Sequence, residues 1–314
     1  MSASWRSIAD LSAWATPPGI RLMGAFKGYF DESGKDTAPH NALAFCGYVC
    51  TVDGWKAFED AWQTSLDAND VPYLHMKELQ CDPHSPLAKF AGKENQDACA
   101  KLLGDVTKVI ASSGLTCAGA LIRLPDLKEF NARFGLNLQA LPLAMYLTMN
   151  ELYRLFPNGQ LELIVDRLEE PEKTIALAVD YAASHVHDDV SELMSWFPLK
   201  GVEYSKNIPP IQAADFVAWE ARKEHELKND WWTTKNRGLP IGEWIPSMTA
   251  WLQERGKSWP GHRRSFAGLT KATKIHASVF DYDALCKLHE ARHGVWTIEA
   301  RDRYRWKQVS ERSS

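Results

Sequence analysis

Apolar residues along the chain fall into short runs with two spacings, and these predict an alternation of strands and helices. MGAFKGYFDESG (23–34) reads as a strand that ends in a Ser-Gly turn, and NALAFCGYVC (41–50) as a second, mostly buried strand. The short link between them predicts an antiparallel hairpin. In TVDGWKAFEDAWQTSLDAND, Trp55, Phe58, Ala61, Trp62 and Leu66 recur at helical spacing behind a Thr or Asp cap. VPYLHMKELQ (71–80) follows without a clear period, then a loop with Pro83 and Pro86. ENQDACAKLLGDVTKVIASSG is a second amphipathic helix, stopped by Gly114.

Downstream the alternation continues. LTCAGALIR predicts a third strand, and LPLAMYLTMNELYRLF a helix apolar enough to be central. QLELIVDR predicts a fourth strand, EPEKTIALAVDYAASHV a helix with Pro171 in its first turn, and ELMSWFPLKGVEYS a fifth strand broken near Pro198. PPIQAADFVAWEARKEHELK is a strong helix with proline at its start. Beyond residue 230 the periodicity fades into a segment rich in Gly, Pro, basic residues and tryptophans, among them Trp231, Trp232, Trp244, Trp251, Trp259 and Trp296. The expectation is an α/β fold with a mixed sheet flanked by helices. Residues 1–23 would form an N-terminal arm, 24–230 one domain, and 231–314 a basic, Trp-rich C-terminal extension.

Composition narrows the class. The 314 residues are 45% hydrophobic and 24% charged, ordinary for a globular protein. No apolar run approaches the roughly 20 residues that span a bilayer, so no membrane partner is expected. The start of the chain does not read as a signal peptide. The six cysteines, at 46, 50, 81, 99, 117 and 286, form no C-x-x-C pair. Neither a zinc knuckle nor a disulfide framework is suggested, and a reduced, cytoplasmic protein is the expectation. The net charge of −4 does not mark a nucleic-acid binder, but its distribution is uneven. From Arg255 onward thirteen Lys or Arg face six Asp or Glu, while the preceding residues hold 23 against 34. Such a tail suits an anionic partner, and it equally suits the acidic body of its own chain.

Three acids close apolar runs: Asp31 at the end of the first strand, Asp166 at the end of the fourth, and Asp215 inside IQAADFVAWE. Strand-end carboxylates in α/β sheets gather where ligands bind. Asp215 is flanked by Ile211, Ala213, Ala214, Phe216, Val217, Ala218 and Trp219, and an unpartnered buried carboxylate costs several kcal/mol. A cation shared with Asp31 and Asp166 would be its partner. Gln212, three residues earlier on the same face, could orient a ligand. Converging carboxylates suit Mg²⁺ or Mn²⁺, and two such ions about 3.5–4 Å apart cleave phosphodiesters. Each acid also has a plainer reading. Asp31 could initiate a turn, Asp166 could pair with Arg167, and Asp215 could meet a buried arginine.

Together YFDESG, YLHMKEL, IVDR and IQAADFVAW resemble the bacterial family known as domain of unknown function 3800. That family is similar in fold to the ribonuclease H-like superfamily, and the resemblance covers about Gly24 to Glu226. It implies a ribonuclease H-like mixed sheet with Asp31, Asp166 and Asp215 as carboxylate metal ligands. It makes Glu32 an auxiliary acid, if the strand has already ended at Asp31, and His75 a second-shell or proton-transfer group. Glu32 or His75 would complete the ligand set, since Glu59 on the first helix lies in an amphipathic, exposed setting. His75 also fits an ordinary half-buried histidine.

The expected function is a divalent-metal-dependent nuclease, with Mg²⁺ or Mn²⁺ as cofactor and DNA or RNA as partner. Lys35 and Lys77 are weaker candidates for phosphate contact. So are Arg263 and Arg264, set among Trp259 and Phe266, since basic and aromatic groups together contact phosphates and stack bases. The alternatives are a nucleic-acid or nucleotide binding module without turnover and, from two carboxylates alone, a glycoside hydrolase. The loose group His185, His187, Asp188 and Asp189 reads either as a metal cluster or as cationic His at a helix end.

Overall fold

The computed structural model of the chain describes residues 26–35, 40–81, 84–90, 95–156, 161–168, 173–178, 200–202, 205–226 and 274–293. Their centre is a six-stranded mixed sheet. The first strands are β1 (Phe26–Ser33) and β2 (Ala42–Thr51), followed by helix α1 (Val52–Asp67). Two further helices, α2 (Met76–Cys81) and α3 (Gln96–Ser112), lead to β3 (Thr116–Arg123). Helices α4 (Leu124–Phe134) and α5 (Ala140–Leu155) precede β4 (Leu161–Asp166) and β5 (Lys200–Val202). Helix α6 (Pro209–Glu226), β6 (Lys274–Phe280) and α7 (Tyr282–His293) complete the described chain.

The strands lie side by side in the order β5-β4-β1-β2-β3-β6. β1, β2 and β3 form an antiparallel meander, as the hairpin expectation has it. β4 runs parallel to β1, β5 parallel to β4, and β6 parallel to β3. The last of these corrects the domain boundary drawn at residue 230. Residues 274–280 are not an appendage but an edge strand of the same sheet, paired from Thr116–Lys274 to Ile122–Phe280. A seven-residue strand whose partner lies 158 positions upstream leaves little local signal. Of the extension's tryptophans and basic residues, Trp231 to Trp259, Trp296, Arg263 and Arg264 lie outside the described residues, as does the 185–189 group.

Alternation along the strands sorts the core into two layers. Tyr29, Cys46, Tyr48, Cys117 and Leu121 face one side with Trp55, Phe58 and Trp62 of α1 and Phe216 of α6. Phe30, Phe45, Ala120, Leu163 and Val165 face the other, under Ala144, Leu147 and Leu152 of α5. Helix α1 begins where the Thr51 side chain accepts the Gly54 N–H at 3.1 Å. It is tied to β1 by the Trp55 indole, which donates to the Lys27 carbonyl at 2.8 Å. α4, unassigned from the sequence, starts with Pro125 and ends on left-handed Gly135. At Gly47 the strands approach so closely that a Cβ would run into the Tyr29 carbonyl.

Among the described residues, no helix is long and apolar enough to cross a membrane.

Candidate active site

The α1/α6 side of the sheet carries the acids. On β1 the side chains of Lys27, Tyr29, Asp31 and Ser33 point to this side by alternation. Lys27 is already paired with Glu162 of β4 at 3.0 Å. It stands roughly 13 Å down the strand from Asp31, at about 3.3 Å per residue. The β1–β4 register ends at Phe30–Val165, so Asp31 and Asp166 are the next residues along the two strands. Helix α6 lies over β1 and β2 and brings Asp215 to the same place.

The electrostatics record the encounter. Asp31 is buried, and its pKa is pushed well above the usual carboxylate range, first by burial and then by the charges of Asp215, Glu32 and Asp166. The opposing influence is the Glu32 N–H, which donates to Asp31 Oδ1 at 2.7 Å. Asp215 is half-buried and is raised to about 6. Burial is again the largest cause, reinforced by Asp166 and Glu78 and opposed by His75 and by the Met76 N–H. That N–H donates to Asp215 Oδ2 at 2.7 Å. Asp31, Asp166 and Asp215, encoded 135 and 49 positions apart, thus form one charge-coupled group. Among the described residues, no group of three or more His, Cys, Asp or Glu side chains is placed so that it could hold a metal ion.

Glu32 is placed differently from the expectation. β1 does not end at Asp31 but runs on to Ser33, with Glu32 opposite Phe45 and Ser33 opposite Ala44. Glu32 therefore points to the other side of the sheet from Asp31, and its charge still raises the Asp31 pKa. The turn that follows needs its glycine. Gly34 has φ +104°, and a Cβ there would meet the Ala42 carbonyl at 2.5 Å and Arg222 Cδ at 2.8 Å.

Gln212 has a structural use. It is buried, its Oε1 accepts from the Trp62 indole at 2.8 Å and from the Leu74 N–H at 2.9 Å, and its Nε2 donates to the Lys206 carbonyl at 2.8 Å. The amide clamps α1, the segment before α2 and the turn before α6 to one another. Lys35 and Lys77 are exposed.

His75 is half-buried beside the carboxylates and belongs to a network that the sequence did not reveal. Its Nδ1 lies 3.1 Å from Glu78 Oε1. Lys206 Nζ also binds Glu78 Oε1 and lies 5.3 Å from the centre of the Tyr73 ring. Tyr73 Oη and Ser85 Oγ donate to Glu78 Oε2 at 2.7 and 2.8 Å. Burial would push the Glu78 pKa up, but the bonds from Lys206, Tyr73, Ser85 and His75 outweigh it and hold the carboxylate at about 2. A cue existed in the spacing, since His75 and Glu78 stand three apart, one helical turn. Arg222 was missed as well. It is buried on α6 seven residues after Asp215, donates from Nε to Ser33 Oγ at 2.9 Å, and places Nη1 3.2 Å from His40 Nδ1.

The chain matches no family model and no curated protein.

Proposed function

We propose that the chain is a divalent-metal-dependent phosphodiesterase of ribonuclease H-like fold, related to the domain of unknown function 3800 family and acting on nucleic acid. The observation that carries this reading is the coupling of three separately encoded carboxylates, in which Asp166 and Asp215 both raise the pKa of buried Asp31. The strand order supports the fold assignment. An antiparallel β1–β2–β3 with β4 parallel to β1 puts an Asp on the first strand, an Asp at a later strand end and an Asp on a covering helix, as the family resemblance implies.

The donor set fits a hard cation, because it is made of carboxylate oxygens. Asp31 and Asp215 are held above the usual carboxylate range by burial and neighbouring acids, a cost that such an ion would relieve. Asp31, Asp166 and Asp215 would hold it. When bound, Mg²⁺ or Mn²⁺ would supply an activated water and would neutralise charge on the phosphoryl oxygens. The protein's own part is placement. β1 and β4 fix two carboxylates from the sheet, and the Met76 N–H fixes the third on α6. The basic, aromatic C-terminal segment with Arg263 and Arg264, outside the described residues, is the proposed contact for nucleic-acid backbone.

Incubation of the full chain with Mn²⁺ and single- or double-stranded DNA and RNA tests this reading. Cleavage is expected for the wild type and is expected to be lost in Asp31→Asn and Asp215→Asn, both still folded by circular dichroism. Mn²⁺ binding by calorimetry should be lost in the same variants. Nucleic-acid binding without cleavage or metal binding would overturn the catalytic reading in favour of a binding module.

A further inference from the structure

Arg222 is buried on α6, two helical turns beyond Asp215 and on the same face. Its guanidinium spans the two ends of the β1–β2 connection. On one side Nε donates to Ser33 Oγ at 2.9 Å, and Ser33 is itself buried. On the other side Nη1 lies 3.2 Å from His40 Nδ1, which must be the acceptor, because a guanidinium can only donate. Gly34 passes between them and leaves room for the arginine stem: a Cβ there would stand 2.8 Å from Arg222 Cδ.

Ser33 is the second residue after Asp31 on β1 and points to the same side of the sheet. One strand end therefore presents Asp31 to Asp215 and Ser33 to Arg222 of the same helix. The two contacts have opposite signs. Of the neighbouring charges, that of Asp215 weighs most on Asp31, and two ionised carboxylates push α6 and β1 apart. The Arg222–Ser33 bond pulls them together. Its donor is charged and both partners are buried, which makes it stronger than a bond in water.

We propose that Arg222 is a positioning residue for the carboxylate group: through Ser33 and His40 it holds the end of β1 against α6 and keeps Asp31 beside Asp215. This rests on the phosphodiesterase reading, in which the three acids take a divalent ion. Arg222 touches neither ion nor substrate in that scheme. It acts by preorganisation, so that an ion need not gather the acids as it binds. The DESG stretch then works as one device. Its aspartate serves the ion, its serine takes the arginine, and its glycine lets the arginine stem pass.

Ser33→Ala and Arg222→Lys in the full chain test this. The first removes the acceptor, and the second cannot reach both partners at once. The metal-free readout is amide hydrogen exchange at Glu32, whose N–H donates to Asp31 Oδ1 and so reports on that carboxylate. Exchange at Glu32 and Ala44 should quicken about tenfold or more, while Cys117–Gly119 in mid-β3 keep wild-type rates. The second readout is Mn²⁺ affinity by calorimetry, below the melting transition. Kd should rise about ten- to a hundredfold in each variant, and the double variant should bind little worse than the weaker single one. If Arg222→Lys does not fold, Ser33→Ala carries both readouts alone. Unchanged exchange at Glu32, or equal quickening in mid-β3, overturns the proposal whatever the protein binds. Faster exchange with a wild-type Kd overturns it too, by reducing Arg222 to a fastening of the hairpin. A wild type that binds no Mn²⁺ refutes the metal reading instead, and exchange at Glu32 still decides whether Arg222 holds Asp31.

Discussion

The backbone N–H of Met76 donates to Asp215 Oδ2 at 2.7 Å, joining residues 139 positions apart. This bond fixes the one carboxylate of the group that lies on a helix, and it fixes the segment carrying His75 against α6. The neighbouring bond from the Leu74 N–H to Gln212 Oε1 has the same effect one helical turn earlier. The site is therefore held from two sides, by strand register on β1 and β4 and by these main-chain bonds.

Asp215 gives a pH dependence with a definite sign. Its pKa is about 6 in the fold against an ordinary 3.8, with burial the main cause. Between those values the folded protein keeps a proton that the unfolded chain has released. Stability of the metal-free protein should fall as pH rises from about 4 to about 6 and stay lower above. Asp215→Asn removes the charge and keeps an acceptor for Met76. In chelator, denaturant unfolding should find this variant more stable than wild type at pH 7.5 by on the order of 2 kcal/mol. The difference should vanish near pH 4. A variant less stable at pH 7.5 would show that Asp215 is not held at a cost.

Gly34→Ala should weaken the fold. The turn sits at φ +104°, and the added methyl meets the Ala42 carbonyl and Arg222. A loss of about 1–3 kcal/mol is expected in chemical denaturation. Unchanged stability would mean that the DESG turn relaxes freely.

Gln212→Ala separates clamp from ligand contact. It strips partners from the buried Trp62 indole and from the Leu74 N–H. Each group left unsatisfied costs about 1–3 kcal/mol, so the melting temperature should drop clearly. Below the transition, nucleic-acid affinity should be unchanged. A selective loss of affinity with normal stability would return Gln212 to the ligand.

Much of this architecture is written in local pattern. β1 to β4 follow from alternation and apolar runs, and α1, α3, α5 and α6 follow from helical spacing. The side of the sheet taken by Asp31 follows from its place two residues after Tyr29. What pattern could not supply were features decided by distant partners. Whether Glu32 joins Asp31 depended on the strand's last residue, which pairing with Phe45 and Ala44 extends to Ser33. Gln212 on an apolar face resembled a ligand-facing residue because its use, the Trp62 indole, lies 150 positions away. β6 became a strand through its pairing with β3. Glu78 meets Tyr73 and His75 from the segment before α2, Ser85 from the 84–87 loop and Lys206 from the turn before α6, and of these only the three-residue spacing of His75 leaves a cue in the sequence.

The central claim is that Asp31, Asp166 and Asp215 together hold a divalent ion. Crystals soaked in Mn²⁺ and measured at the manganese absorption edge test it most directly. An anomalous peak is predicted among the three carboxylates, with oxygen ligands from each at roughly 2.0–2.3 Å. Manganese bound elsewhere, or three carboxylates still apart around no peak, would contradict it.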